Sequence, residues 1–275
     1  MPGEDVGSAL NAAEAMQTNG IASLVTHLGE NIVHQHEADA VAQHYLDVLD
    51  LIQKRGLDCQ ISLKLTQLGL DLSEELCAAH LSKILQRAQK LQTFVWIDME
   101  GSAYVDRTLA LFKRMDAEHF NAGVCLQSYL YRTADDLNAL LRLAPSIRLV
   151  KGAYAEPKHV AYRARKSVDE NFLALAKRIL NAARTNRMRV GIATHDEALL
   201  QRIFQTASEQ GIPKESYEIQ MLYGIKREYQ RLLARDGFRV RVLISYGSFW
   251  FPWYMRRLAE RPANVLFVLK NIFTK

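Results

Sequence analysis

Seven short stretches carry side chains able to bind or transform a small molecule. They are Lys64 in "SLKLTQ", Asp98 and Glu100 in "WIDME", Gln127 in "VCLQSYL", Arg148 and Lys151 in "IRLVKG", Thr194, His195 and Asp196 in "IATHD", Gln220 in "YEIQML", and the adjacent pair Arg256 and Arg257 in "WYMRRLAERP". Singly, most have a structural reading: Asp98 could accept loop N–H groups, His195 could be a satisfied core histidine, and "KG" could be an exit turn. Lys64 is harder to dismiss, because a lysine among apolar neighbours is costly to bury unless paired. Neighbouring helical residues point about 100° apart, so an ordinary amphipathic helix would expose Arg256 or Arg257 beside its aromatics. Several cations around one mouth suit an anionic ligand larger than a lone carboxylate, or a site where nearby acids share the charge. No HExxH, clustered Cys/His set or GxSxG is present, so neither a metal centre nor a serine hydrolase is expected.

What unites these residues is their place at the end of a short apolar run. Eight such runs recur: "GIASLVTHLG", "CQISLKLTQLG", "FVWIDME", "AGVCLQSYL", "IRLVKGAY", "RVGIATHD", "YEIQMLYG" and "RVRVLISYG". Between them lie segments of helical periodicity, such as "EADAVAQHYLDVLDLIQKRG" and "LSEELCAAHLSKILQRAQKL", with charged starts and late basic residues. Strict alternation predicts parallel strands covered by helices, and eight units close a single-domain α/β (β/α)8 TIM barrel. A doubly wound sheet is the alternative, but neither GxGxxG nor GxxxxGK[ST] occurs. Residues 1–19 read as a leading helix and 20–275 as the barrel. Barrel enzymes hold their chemistry at the C-terminal ends of the strands, where these polar residues fall.

Composition agrees with a globular enzyme: 275 residues, 49% hydrophobic and 24% charged. Cys59, Cys77 and Cys125 are widely spaced in apolar segments and read as buried thiols of a reducing compartment. Neither a secretory leader nor an apolar run approaching the roughly 18 residues of a membrane span is seen, which points to the cytoplasm. Net charge is +5, with an acidic first hundred residues and a basic remainder. Scattered solvated helix faces or an anionic ligand or membrane surface would both account for it. No basic block with interleaved aromatics suggests nucleic acid.

With these residues in place, the sequence resembles the proline dehydrogenase family, FAD-dependent barrels that oxidise proline to Δ1-pyrroline-5-carboxylate. The likeness spans nearly the whole chain and is carried by "RLVKGAYAEP", "ATHDE", "YEIQMLYGIK" and "MRRLAERPANV", with "SLKLTQLG", "IDME" and "CLQSYLYRT" in support. It implies that Lys64, Arg256 and Arg257 hold the substrate carboxylate and that Tyr154 lines the substrate pocket. Arg148 would face flavin N5 and Asp98 would complete the catalytic shell. Met99, Gln127, Lys151, Gly152, Ala153, Thr194, His195 and Gln220 match flavin-contacting positions. It further implies hydride transfer to the flavin, a quinone as electron acceptor, and at most peripheral contact with the membrane.

Two departures stand out. Where the family commonly reads much like "RVYVPYG", with a tyrosine over the substrate ring, this chain reads "RVRVLISYG" and has Leu243. Losing the phenol frees space beside the ring, so tolerance of 4-hydroxyproline or another cyclic imino acid is expected. The sequence also begins closer to the barrel than the family pattern. Two other readings fit part of the sequence: a Schiff-base lyase using Lys64 or Lys151, which leaves the paired arginines unexplained, and a flavin- and imino-acid-binding barrel without turnover.

Overall fold

The computed structural model describes residues 1–29, 32–117, 121–186, 188–251 and 255. Eight parallel strands follow one another around a closed barrel: β1 (Ala22–His27), β2 (Cys59–Leu63), β3 (Val95–Ile97), β4 (Ala122–Gln127), β5 (Ser146–Val150), β6 (Val190–Ala193), β7 (Glu218–Leu222) and β8 (Arg239–Tyr246). The closing seam pairs β1 with β8 from Ala22↔Arg241 to His27↔Tyr246. Helix α1 (Val6–Gln17) precedes β1. Among the described residues, seven α-helices lie between successive strands: α2 (Gln35–Lys54), α3 (Glu74–Lys90), α4 (Val105–Asp116), α5 (Thr133–Leu141), α6 (Arg165–Ala183), α7 (Glu197–Glu209) and α8 (Arg227–Arg235). The expected (β/α)8 barrel is therefore the fold.

Local sequence explains the elements. All five residues of β2 are buried, as befits a parallel strand covered on both faces. In α3, Ser73 accepts the Leu76 N–H at 3.3 Å, Glu74 and Glu75 sit at the positive end of the helix dipole, and Arg87 and Lys90 sit at the negative end. Its Cys77, Leu81, Ile84, Leu85 and Ala88 recur three or four residues apart and are buried. The run "CQISLKLTQLG" outlasts its strand. The chain leaves β2 at Leu63 and turns through a 3-10 segment at Thr66–Leu68, which ends at Gly69 with φ +90, a conformation suited to glycine. Lys64 consequently stands just beyond the strand.

The barrel interior is unusually polar, since branched aliphatic residues commonly fill such layers. Here several of the polar groups satisfy one another across strands. Trp96 Nε1 donates to Gln60 Oε1 at 2.8 Å, and Ser62 Oγ donates to Asp98 Oδ1 at 2.8 Å. Arg241 grips Glu218 with two N–H donors at 3.0 Å each and donates to Ser23 O and Asp58 Oδ1 at 2.9 Å. Bulk is accommodated by glycine: a Cβ at Gly123 would lie 2.6 Å from the Trp96 ring. Trp96 is fully buried, so truncation to Ala is expected to remove about 3–5 kcal/mol of stability.

Candidate active site

A cavity of about 480 Å³ opens at the C-terminal ends of the strands. Small-molecule sites commonly measure roughly 300–1,000 Å³. Its lining gathers Lys64, Asp98, Met99, Gln127, Arg148, Lys151, Gly152, Ala153, Tyr154, Thr194, His195, Gln220 and Leu243 from seven different strand ends. Of the other expected residues, Asp196 also lines the cavity, Glu100 instead accepts the Thr66 N–H at 3.2 Å and the Thr66 hydroxyl at 2.7 Å away from the lining, and Arg256 and Arg257 lie outside the described residues. Trp250, Phe251 and Met255 just before them are helical.

The floor centres on Arg148, which projects inward from β5 and is almost wholly buried. Its Nη2 donates to Ser62 Oγ at 2.8 Å and to Asp98 Oδ1, its Nε approaches Cys125 Sγ at 2.6 Å, and the Trp96 ring lies 5.3 Å from Cζ. Burial alone would work against its charge, but Cys125 and Asp98 more than offset this and hold the guanidinium above its ordinary value. Burial likewise pushes the Cys125 thiol up to about 11, with Arg148 pulling the other way. Arg148 is therefore a fixed cation. Lys64 is buried at the β2 exit, and its backbone N–H donates to Gln67 Oε1 at 3.3 Å. Behind this wall the His27 imidazole is depressed to about 4, chiefly by burial, then by His44 and Lys64.

The rim is built from the loop after β5 and the start of α7. Lys151 Nζ lies 2.9 Å from Asp196 Oδ2 and 2.5 Å from Asp169 Oδ1, and Arg165 also reaches Asp196 at 3.1 Å. Asp196 simultaneously caps α7 by accepting the Leu199 N–H at 3.2 Å. Burial raises the Asp196 carboxyl, but Lys151, the Leu199 N–H and Arg165 together hold it at about 2. Gly152 has φ +118, and any Cβ there would strike the Tyr129 ring at 2.2 Å, so only glycine lets the loop pass. His195 Nε2 accepts the Leu222 N–H at 2.8 Å, which leaves the proton of the neutral ring on Nδ1.

Sequence reasoning missed Ser62, Cys125, Asp169 and Arg165. The first two lie two residues before Lys64 and Gln127 and so face the same side of their strands, a signal available from strand periodicity. Asp169 and Arg165 come from α6, and only the fold brings them to the rim.

Residues 9–270 match the family model described as proline dehydrogenase. The chain belongs to the proline dehydrogenase family. It is 39% identical over 274 residues to proline dehydrogenase 1 of Bacillus subtilis subsp. natto, covering 99% of this chain and 89% of that protein. It is 36% identical over 277 residues to proline dehydrogenase of Deinococcus radiodurans, covering 98% and 87%. Among solved structures, proline utilization A from Bdellovibrio bacteriovorus, inactivated by N-propargylglycine, superposes with TM-score 0.87 at 24% identity. That alignment takes in 94% of this chain and 32% of the larger protein, and it supports the fold. As a proline dehydrogenase family member the chain is an oxidoreductase, and the cavity at its strand ends is the candidate active site.

Proposed function

We propose that this chain oxidises L-proline to Δ1-pyrroline-5-carboxylate using FAD. The observation carrying this reading is the convergence of Lys64, Asp98, Arg148, Gln127, Lys151, Thr194, His195 and Gln220 on one cavity in a proline dehydrogenase family barrel. The lining suits a flavin. Gln127 Oε1 and Gln220 Oε1 are buried acceptors with no partner among the described residues, Arg148 supplies a buried cation, and the Gly152 backbone, packed on Tyr129, lines the cavity. Lys151 and Arg165 at the rim suit the cofactor's phosphates. When bound, FAD supplies the hydride-accepting chemistry.

The protein's part is binding and electrostatics. Lys64, with Arg256 and Arg257, holds the substrate carboxylate and so fixes the ring carbon that gives up hydride. Arg148 stabilises negative charge as it develops on the acceptor, and Asp98 keeps that guanidinium in place. Apolar Met99, Ala153 and Tyr154, with the glycine-bounded loop, restrict water. The electrons pass on to a quinone met by peripheral contact at the cytoplasmic membrane face. No helix among the described residues is long and apolar enough to cross a membrane.

Leu243 lines the cavity and is half-buried, which favours one extension of this reading: a pocket tolerant of 4-hydroxyproline or other ring-substituted imino acids. The test is steady-state turnover with an artificial electron acceptor across proline and its ring analogues, with the cyclic imine product identified by mass spectrometry. Imine formed from proline supports the assignment, and no imine from proline or any analogue removes it. A proline preference exceeding every ring-substituted analogue in kcat/KM removes the extension alone.

A further inference from the structure

Glu218 and Arg241 form an ion pair beneath the cavity, both almost fully buried. Burial acts against the Glu218 charge, but Arg241 and then Arg239 overcome it and hold the carboxyl below its ordinary range. A pair of this kind is a poor stability device, because well-packed apolar residues often serve as well. Its neighbour supplies a use. Gln220, two residues along β7 and on the same face, donates its Nε2 to Glu218 Oε2 at 3.2 Å. A carboxylate held ionised can only accept, so the amide has one orientation: nitrogen to Glu218 and oxygen away from it.

That oxygen is buried and has no hydrogen-bond partner among the described residues, and Gln220 lines the cavity. The opposing strand leaves room for this arrangement. A Cβ at Gly191 on β6 would stand 2.8 Å from the Gln220 nitrogen and 2.9 Å from Cδ. Gln127 repeats the pattern with a different anchor, its Nε2 donating to Met99 O at 3.3 Å while its Oε1 is also buried and unpartnered.

We infer that Glu218, held by Arg241, is a positioning residue: it takes the Gln220 amide N–H and so turns Oε1 into the cavity to accept from an N–H or O–H of the bound flavin. This rests on the flavin reading above. An unmet buried acceptor is costly, so occupancy by a donor is what the arrangement rewards. The chain of restraint runs from Asp58 through Arg241 and Glu218 to Gln220, each link a hydrogen bond, and ends at the cavity.

The test is FAD titration of apoprotein variants, with thermal melting and circular dichroism as folding controls. Loss of one such bond corresponds to about tenfold in affinity, expected for Gln220→Met. The combined change Glu218→Leu with Arg241→Met removes the pair as a unit, and the same approximate tenfold loss is expected from a Gln220 left free to turn. Adding Gln220→Met to it should then cost less than about twofold more, because both act through one bond. The visible band of the bound flavin should shift alike in all three. Affinity within about twofold of wild type in the paired variant, or losses that multiply, overturns the inference. Should the paired variant not fold, Glu218→Met carries the test, since it removes the acceptor that holds the Gln220 amide and leaves Arg241 its bonds to Ser23 O and Asp58 Oδ1. Unchanged FAD affinity there overturns the inference too. Wild-type protein that takes up no FAD overturns the flavin reading itself, and this role with it.

Discussion

Arg148 is held at three points, by Cys125, Ser62 and Asp98, over the Trp96 ring, so its position is set before any ligand arrives. A preorganised cation of this kind acts on charge developed during reaction more than on ground-state binding. Arg148→Met is therefore expected to slow flavin reduction by about a hundredfold or more with little change in the proline dissociation constant, measured by anaerobic stopped flow. A wild-type reduction rate would remove Arg148 from its assigned role. Lys64 predicts the opposite split. A charged hydrogen bond to a carboxylate is worth about 1.5–3 kcal/mol, so Lys64→Met should weaken proline saturation by roughly 10- to 100-fold while the limiting reduction rate falls much less. Unchanged saturation would exclude Lys64 from the substrate site. Leu243→Tyr restores a phenol at the pocket wall and should shift kcat/KM toward proline over 4-hydroxyproline, and an unaltered ratio would separate Leu243 from selectivity.

The loop after β5 and the first turn of α7 act together as one rim. Gly152→Ala places a methyl into the Tyr129 ring at a backbone angle glycine alone adopts readily, and should cost at least about 2 kcal/mol in urea unfolding as well as flavin uptake. Asp196 is held at about 2 against an ordinary 3.8. Because its folded value is depressed, the stabilisation it gives is complete above pH 3.8 and is lost as pH falls toward 2. In Lys151→Met apoprotein the Asp196 carboxyl should titrate higher, followed by NMR, and the stability deficit relative to wild type should shrink across that same interval. A deficit independent of pH would mean that Lys151 acts by packing alone. This rim also marks where reading the sequence stops. The strand-end positions of Lys151, His195 and Gln220 follow from periodicity, because a buried parallel strand announces itself as an apolar run with a polar exit. Asp169 and Arg165 sit on an amphipathic helix whose polar residues look alike until the barrel turns one end toward the mouth. Glu218 and Arg241 are obscured for a related reason: charged residues within short strands read as exposed edges, whereas here they face and neutralise each other inside.

Across the whole molecule, eight βα units place residues as far apart in sequence as Lys64 and Leu243 around one cavity. That closure was legible from the count of apolar runs, while the paired arginines that first suggest an anionic ligand lie outside the described residues. If the barrel is built around FAD, binding must stabilise it by mass action: at a free cofactor concentration a hundredfold above Kd, by about 2.7 kcal/mol, seen as a raised Tm. The central claim is that the cavity holds a flavin which proline reduces. Its most direct test is the visible absorption spectrum of the purified, FAD-reconstituted protein under anaerobic conditions, recorded before and after adding L-proline. Oxidised-flavin bands that bleach on addition are the predicted result. Flavin bands that persist with proline and with every ring-substituted analogue, or reconstitution that leaves the protein colourless, would contradict it.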